Sequence, residues 1–232
     1  LPRSRGLGDV YKRQVVNTND APTVANAISD ATTAEDAAYS LDISSVFADV
    51  DAGDTLTYSI SAGPSSLSIS SGTVTGTPTN DDVGANTVII SASDGTATVT
   101  ASYVLTVTNT NDAPTITSTA DTTAEEDEAY SYTTTASDVD AGDTVTLTCT
   151  TVPSWLSCTA GALTGTPSNS DVGSHAVVIT ATDVAGATAL DSFTIVVANA
   201  NDAPTVTSTA VTTATEDSVY TYTLTASDAD TG

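Results

Sequence analysis

No lysine or arginine occurs after Arg13, methionine is absent, and tryptophan and histidine each occur once in 232 residues. Arg3, Arg5, Lys12 and Arg13 hold all the basic charge, while 28 of the 29 acidic residues lie beyond Val15. Nucleic acids and anionic membranes are bound through Lys and Arg, so such a chain has neither as a partner. Without lysine in its repeats it cannot form a Lys–Asn isopeptide cross-link. Two cysteines and one distant histidine do not make a zinc site. No apolar window is long enough to span a bilayer, so no membrane insertion is expected within this stretch. Heptad and 3.6-residue periodicities are missing too. Aromatic residues are only 5% of the chain, so any core must be built from Val, Ile, Leu and Ala.

Residues 1–14 (LPRSRGLGDVYKRQ) stand apart from the rest of the chain. A signal peptide would continue into an apolar stretch of roughly 7–15 residues, which is missing. The segment resembles translated adaptor sequence and reads as a non-native leader; a natural basic linker is the alternative.

Beyond residue 14 the chain is repetitive. NTNDAPTV begins at Asn17, NTNDAPTI at Asn109 and NANDAPTV at Asn199, giving periods of 92 and 90 residues. FADVDAGDTLTYS at Phe47 returns as ASDVDAGDTVTLT at Ala136 and ASDADTG at Ala226; GTVTGTPTNDDVG at Gly72 returns as GALTGTPSNSDVG at Gly161. Self-similarity at such a period marks a tandem array. The organisation is 15–20, the end of a preceding repeat and its linker; 21–112, repeat one; 113–202, repeat two; and 203–232, the start of repeat three. Within repeat two the alternating sets Tyr130, Tyr132, Thr134; Val145, Leu147, Cys149; Val177, Ile179, Ala181; and Phe193, Ile195, Val197 each place one face of a strand inward. Gly-Thr-Pro and Asp-Ala-Gly-Asp supply turns, and Ala113 and Ala203, each preceding a proline, favour extended backbone. About seven short strands per repeat predict an all-β fold of tandem Ig-like or cadherin-like antiparallel β-sandwiches.

Cys149 and Cys158 replace Ile60 and Ile69 of repeat one, so both should face the core on neighbouring strands. Joint replacement points to a disulfide and an oxidising compartment; two buried thiols are the alternative. Trp155, opposite Ser66, reads as packing, and His175, opposite Asn86, as a loop residue. A lone histidine with no nucleophile elbow argues against a Ser-His-Asp enzyme.

From Glu125 to Asp202 the motifs SDVDAGD, PSWLS, GTPSNSDVG, ATD and NAND resemble the dystroglycan-type cadherin-like domain, which is close to the putative-Ig modules of bacterial surface proteins. The resemblance covers both full repeats and the start of the third. It implies Ca²⁺ at the domain junctions, held by a Glu near the first strand of one repeat, the Asn-Asp linker, and the Asp-x-Asp and a later Asp of the next. On this chain the junction of repeats one and two would use Glu35, Asn111, Asp112, Asp138, Asp140 and Asp183. The junction of two and three would use Glu125 or Glu126, Asn201, Asp202, Asp228 and Asp230. The leading junction keeps Asn19, Asp20, Asp49, Asp51 and Asp94. Clustered carboxylates without basic partners suit a cation that takes six to eight oxygen ligands; the plain alternative is Asx-turns in solvated loops. The chain departs from cadherins in having only Ala113 or Ala203 between the linker Asp and Pro, and in lacking their mid-domain acidic pair.

The expectation is a non-enzymatic, Ca²⁺-binding segment of an extracellular or cell-surface adhesin or extender. Its partners would be neighbouring repeats of the same chain and a cell-surface protein or glycan. The alternative is an accessory spacer or carbohydrate-binding region of a larger secreted enzyme, and carboxylates that recur in every repeat read as structural ligands rather than as a glycosidase pair.

Overall fold

The computed structural model describes residues 16–230. The leader 1–14 lies outside them. The chain divides into two units, one ending at Thr110 and the other beginning at Asn111.

In the first unit, β1 (Thr23–Val24) pairs antiparallel with β4 (Phe47–Ala48). A four-stranded sheet runs in the order β2 (Ala31–Ala34), β9 (Thr98–Thr108), β8 (Gly84–Ser93), β5 (Thr57–Ala62), with β2 parallel to β9. A three-stranded antiparallel sheet has the order β3 (Tyr39–Asp42), β7 (Thr73–Gly76), β6 (Leu67–Ser70). Val88, Ile90 and Ala92 of β8, with Leu105 and Val107 of β9, form the inner face of the larger sheet and pack with Tyr39, Leu67 and Val74 from the smaller. Each of the larger side chains contributes about 1.5–3 kcal/mol by leaving water. The period-two pattern therefore does the folding; strand propensity alone would not order so short a set of strands.

The second unit repeats this plan. β10 (Thr115–Ile116) pairs with β13 (Ala136–Ser137). The larger sheet is β11 (Thr123–Glu125), β18 (Thr188–Ala198), β17 (Gly173–Thr182), β14 (Thr146–Thr151), and the smaller is β12 (Tyr130–Thr133), β16 (Ala162–Gly165), β15 (Leu156–Thr159). Tyr130, Leu156, Leu163, Val177, Ile179, Ile195 and Val197 fill the space between them. Two further strands, β19 (Thr205–Val206) and β20 (Ala226–Ser227), open the next repeat. The fold is thus all-β, with Ig-like sandwiches in tandem.

Close packing accounts for the recurring motifs. Gly165, in the Gly-Thr-Pro turn, lies so close to the Trp155 carbonyl oxygen that a Cβ would collide with it; Gly76 stands in the same relation to Ser66. Cys149 on β14 and Cys158 on β15 form a disulfide with Cα atoms 6.4 Å apart, tying the outer strands of the two sheets together. Trp155 packs on this core and meets Tyr130 edge-on at 5.9 Å. His175 lies in strand β17 rather than in a loop. Its Nε2 sits 2.6 Å from the Asp171 carbonyl oxygen, the place where Asn86 donates to the Asp82 carbonyl oxygen in repeat one.

Candidate metal centre at the repeat ends

The acidic side chains gather at the ends of the sandwiches, and local turn geometry determines which of them turn inward. β2 and β11 each run into a glutamate followed by an aspartate in the left-handed region: Asp36 at φ 55° and Asp127 at φ 59°, with Asp217 at 63° in the third repeat. That turn is pinned, since Asp36 and Asp127 donate their N–H to the carbonyls of Pro78 and Pro167, both at 2.8 Å. The preceding glutamate is thereby driven inward. Glu35 is 2% exposed and Glu126 1%. Glu35 Oε1 accepts from the Thr110 N–H and Glu126 Oε1 from the Ala200 N–H, each at 2.7 Å. Their other oxygens, Glu35 Oε2 and Glu126 Oε2, are buried with no hydrogen-bond partner. Of the two adjacent glutamates 125 and 126, then, the second is the inward one; Glu125 is exposed at the end of β11.

The linker meets the Asp-x-Asp loop in the same way three times. The N–H groups of Asp20, Asp112 and Asp202 donate to Oδ2 of Asp51, Asp140 and Asp230 at 2.7, 2.9 and 2.7 Å. Asp51, Asp140 and Asp230 in turn donate their own N–H to Asp49, Asp138 and Asp228 at 2.9, 3.0 and 3.0 Å. Asn19 and Asn111 donate their amides to Asp94 and Asp183 at 3.0 and 2.8 Å. Asn19, Asn111 and Asn201 alike also donate to the carbonyl oxygen of the next aspartate, Asp20, Asp112 and Asp202, at 3.0, 2.8 and 2.9 Å.

Three carboxylate groupings result within the units, each with one oxygen per residue inside 4.8 Å of the others: Asp49, Asp51 and Asp54; Asp138, Asp143 and Asp183; and Glu126, Asp202 and Asp230. Sequence reasoning misses Asp54 and Asp143, although both recur as the last Asp of DVDAGD. Asp94 falls outside the first grouping. The electrostatics reflect the crowding. Desolvation, together with the charges of Asp51, Asp49 and Asp94, pushes the Asp54 carboxyl up. Asp94 is held below the usual range by the N–H groups of Ala97 and Thr96 and the Asn19 amide. Asp183 is held down chiefly by the Asn111 amide, and also by the N–H groups of Ala187 and Gly186.

A cation fits this donor set. Besides Glu35 and Glu126, Asp49 Oδ2, Asp138 Oδ2 and Asp140 Oδ1 are buried without a hydrogen-bond partner. All four Lys and Arg residues precede Gln14, so no lysine or arginine among the described residues offsets them. A buried carboxylate oxygen left unpaired costs at least about 1–3 kcal/mol. All the donors are hard oxygens, as calcium requires.

The chain matches the Putative Ig domain family over residues 21–108 and again over 113–198. It belongs to that family. No curated protein matches it. Among solved structures, the endo-fucoidan hydrolase MfFcnA4 of glycoside hydrolase family 107 is 26% identical with a TM-score of 0.38 over 77% of this chain, which spans 29% of that protein. Protocadherin gamma B2 cadherin domains 1–5 are 20% identical with a TM-score of 0.44, covering 92% of this chain and 48% of that one. Human protocadherin-24 domains EC1-2 are 23% identical with a TM-score of 0.41, covering 78% of this chain and all of that one. Among the described residues, no helix is long and apolar enough to cross a membrane.

Proposed function

We propose that this family member is a Ca²⁺-binding, dystroglycan-type cadherin-like segment of an extracellular or cell-surface adhesin or extender. In this reading it holds other domains at a distance and performs no catalysis itself. The observation that carries the proposal is Glu126 Oε2, buried beside Asp202 and Asp230 with no hydrogen-bond partner and no basic side chain available to it.

In this role Glu126 comes from the end of repeat two, Asp202 from the linker, and Asp230 from the first loop of repeat three. Asp202 is already oriented, because its N–H is fixed to Asp230. By repeat register Asp112 and Asp140 are the counterparts of Asp202 and Asp230, and the Asp112 N–H is fixed to Asp140 in the same way. Asp138, Asp143 and Asp183 belong to the loop end of repeat two, with Asn111 aligning Asp183. Calcium, when bound, would supply the positive charge and the many-oxygen coordination that these carboxylates otherwise lack. The outward surfaces remain for a cell-surface protein or glycan partner.

The test is calorimetric titration of the chain with Ca²⁺, paired with small-angle scattering in calcium and in chelator. Binding in the micromolar to millimolar range, a higher melting temperature and a longer, stiffer particle are expected. Ligand binding to the folded state at a hundredfold excess over Kd stabilises it by about 2.7 kcal/mol. No heat, no melting shift and no change in length at millimolar Ca²⁺ would overturn the proposal in favour of a simple acidic spacer within a larger secreted protein.

A further inference from the structure

The two repeats differ where a pull along the chain reaches them. In each, the first strand of the larger sheet lies parallel to the last. β2 runs along β9 with Ala31 opposite Leu105 and Ala34 opposite Thr108, and β11 runs along β18 with Thr123 opposite Val196 and Glu125 opposite Ala198. Tension in a tandem array enters a repeat ahead of its first strand and leaves beyond its last. Parallel strands drawn by opposite ends slide along each other, so their evenly spaced hydrogen bonds are strained together rather than one at a time. In repeat one Asp30 lengthens this contact, its Oδ1 accepting the Val104 N–H of β9 at 2.7 Å. The matching Asp121 turns back on its own strand and takes the Thr123 N–H and hydroxyl at 3.0 and 2.8 Å.

The segment leading into that contact is anchored differently too. Repeat one sets Phe47 of β4, 5% exposed, opposite Val24 of β1, buries Ile43 and Val46 with it, and packs Ile28 on the same core. Repeat two has Thr134, Thr135 and Ala136 in the places of Ile43, Val46 and Phe47. Its entry segment is held instead by a chain of hydroxyls. The Thr135 N–H donates to Ser118 Oγ at 2.9 Å, the Ser118 hydroxyl bonds the Tyr132 hydroxyl at 2.7 Å, and Tyr132 donates to Asp191 Oδ2 at 2.7 Å. Each such bond contributes less than a large buried apolar side chain, because water replaces it on opening. We infer that tension opens repeat two before repeat one, which gives the array a set order of yielding with repeat two as its extensible link. The Cys149–Cys158 bridge, on the outer strands β14 and β15, then limits how far that link extends. The inference rests on the extender part of the proposed function and not on calcium.

The test is single-molecule stretching of the whole chain, held by its two ends at constant force in chelator, where forced opening reports the unfolding rate. The disulfide identifies the repeats. An extended chain spans at most about 3.3–3.6 Å per residue, so a bridge across nine residues with Cα atoms 6.4 Å apart withholds about 25 Å. The shorter release therefore belongs to repeat two, and added reductant should lengthen that release alone. The shorter release should come first, about tenfold faster than the longer at the same force, the scale of one hydrogen bond to a charged group. Asp30→Ala should speed the longer release several-fold and leave the shorter one unchanged. Repeat one opening first, equal rates for the two, or an Asp30→Ala chain that opens like the unsubstituted one would overturn the inference. Calcium is absent throughout, so none of these results bears on the calcium reading, which stands or falls on its own titration.

Discussion

Replacing Glu126 by Gln should change stability in opposite directions with and without calcium. Glutamine keeps the shape and an oxygen for the Ala200 N–H, which Glu126 accepts at 2.7 Å. It removes the negative charge from a side chain that is 1% exposed and has an unpartnered Oε2. In chelator, relief of that buried, unpaired oxygen is worth about 1–3 kcal/mol. For a repeat of this size each kcal/mol moves the melting temperature by about 4–8 °C, so Glu126→Gln should melt above the unsubstituted chain. In millimolar calcium the order should reverse. Tenfold weaker binding removes about 1.4 kcal/mol of ligand stabilisation, and loss of a charged ligand at a divalent ion should exceed tenfold. The assay is differential scanning calorimetry of both proteins in chelator and in calcium. A variant that melts below the unsubstituted chain by the same amount in both conditions would refute the reasoning, because Glu126 would then act through packing alone.

The disulfide and the pH response provide separate checks. Cys149 and Cys158 are nine residues apart, and closing a loop of that length stabilises by about 2–3 kcal/mol in the chain-entropy account. Double substitution to Ser should lower the denaturation midpoint of repeat two accordingly, whereas double substitution to Ile, the repeat-one pattern, should recover part of the loss; equal losses would show that the bond, not the packing, matters. In chelator the melting temperature should hold above about pH 5 and fall below about pH 4. The carboxyls of Asp94 and Asp183 are depressed from 3.8 by donated N–H groups, so their stabilisation is present above that value and is lost as pH drops through the folded-state value. Asp54, pushed up by its neighbours, acts with the opposite sign, and its protonation relieves repulsion. A melting temperature that climbs steadily from about pH 7 to about pH 3 would mean that repulsion among carboxylates outweighs these hydrogen bonds.

The strands, the tandem order and the cysteine pairing were legible in the sequence because each derives from short-range rules. A period of two selects one face of a strand whatever the rest of the chain does, and recurrence at about 90 residues needs no structure to be seen. Cys149 and Cys158 could be paired because their counterparts are both isoleucines that a shared core requires. The recurring Asp-x-Asp and Asn-Asp pairs likewise marked the acidic ends of the repeats.

Which oxygens converge was decided by tertiary structure. Glu125 and Glu126 are equivalent as a local string; Glu126 turns inward because Asp127 takes a left-handed conformation held by the Pro167 carbonyl, some forty residues away. The signal was present in the repeated Glu-Asp step at residues 35, 126 and 216, but its meaning depends on that distant hydrogen bond. Asp54 and Asp143 belong to turns whose curvature, not composition, brings their carboxylates back on the Asp-x-Asp. Periodicity fixes which way a side chain faces relative to its own strand. It carries no information about where two loop ends meet, because that position is the sum of all the packing between them.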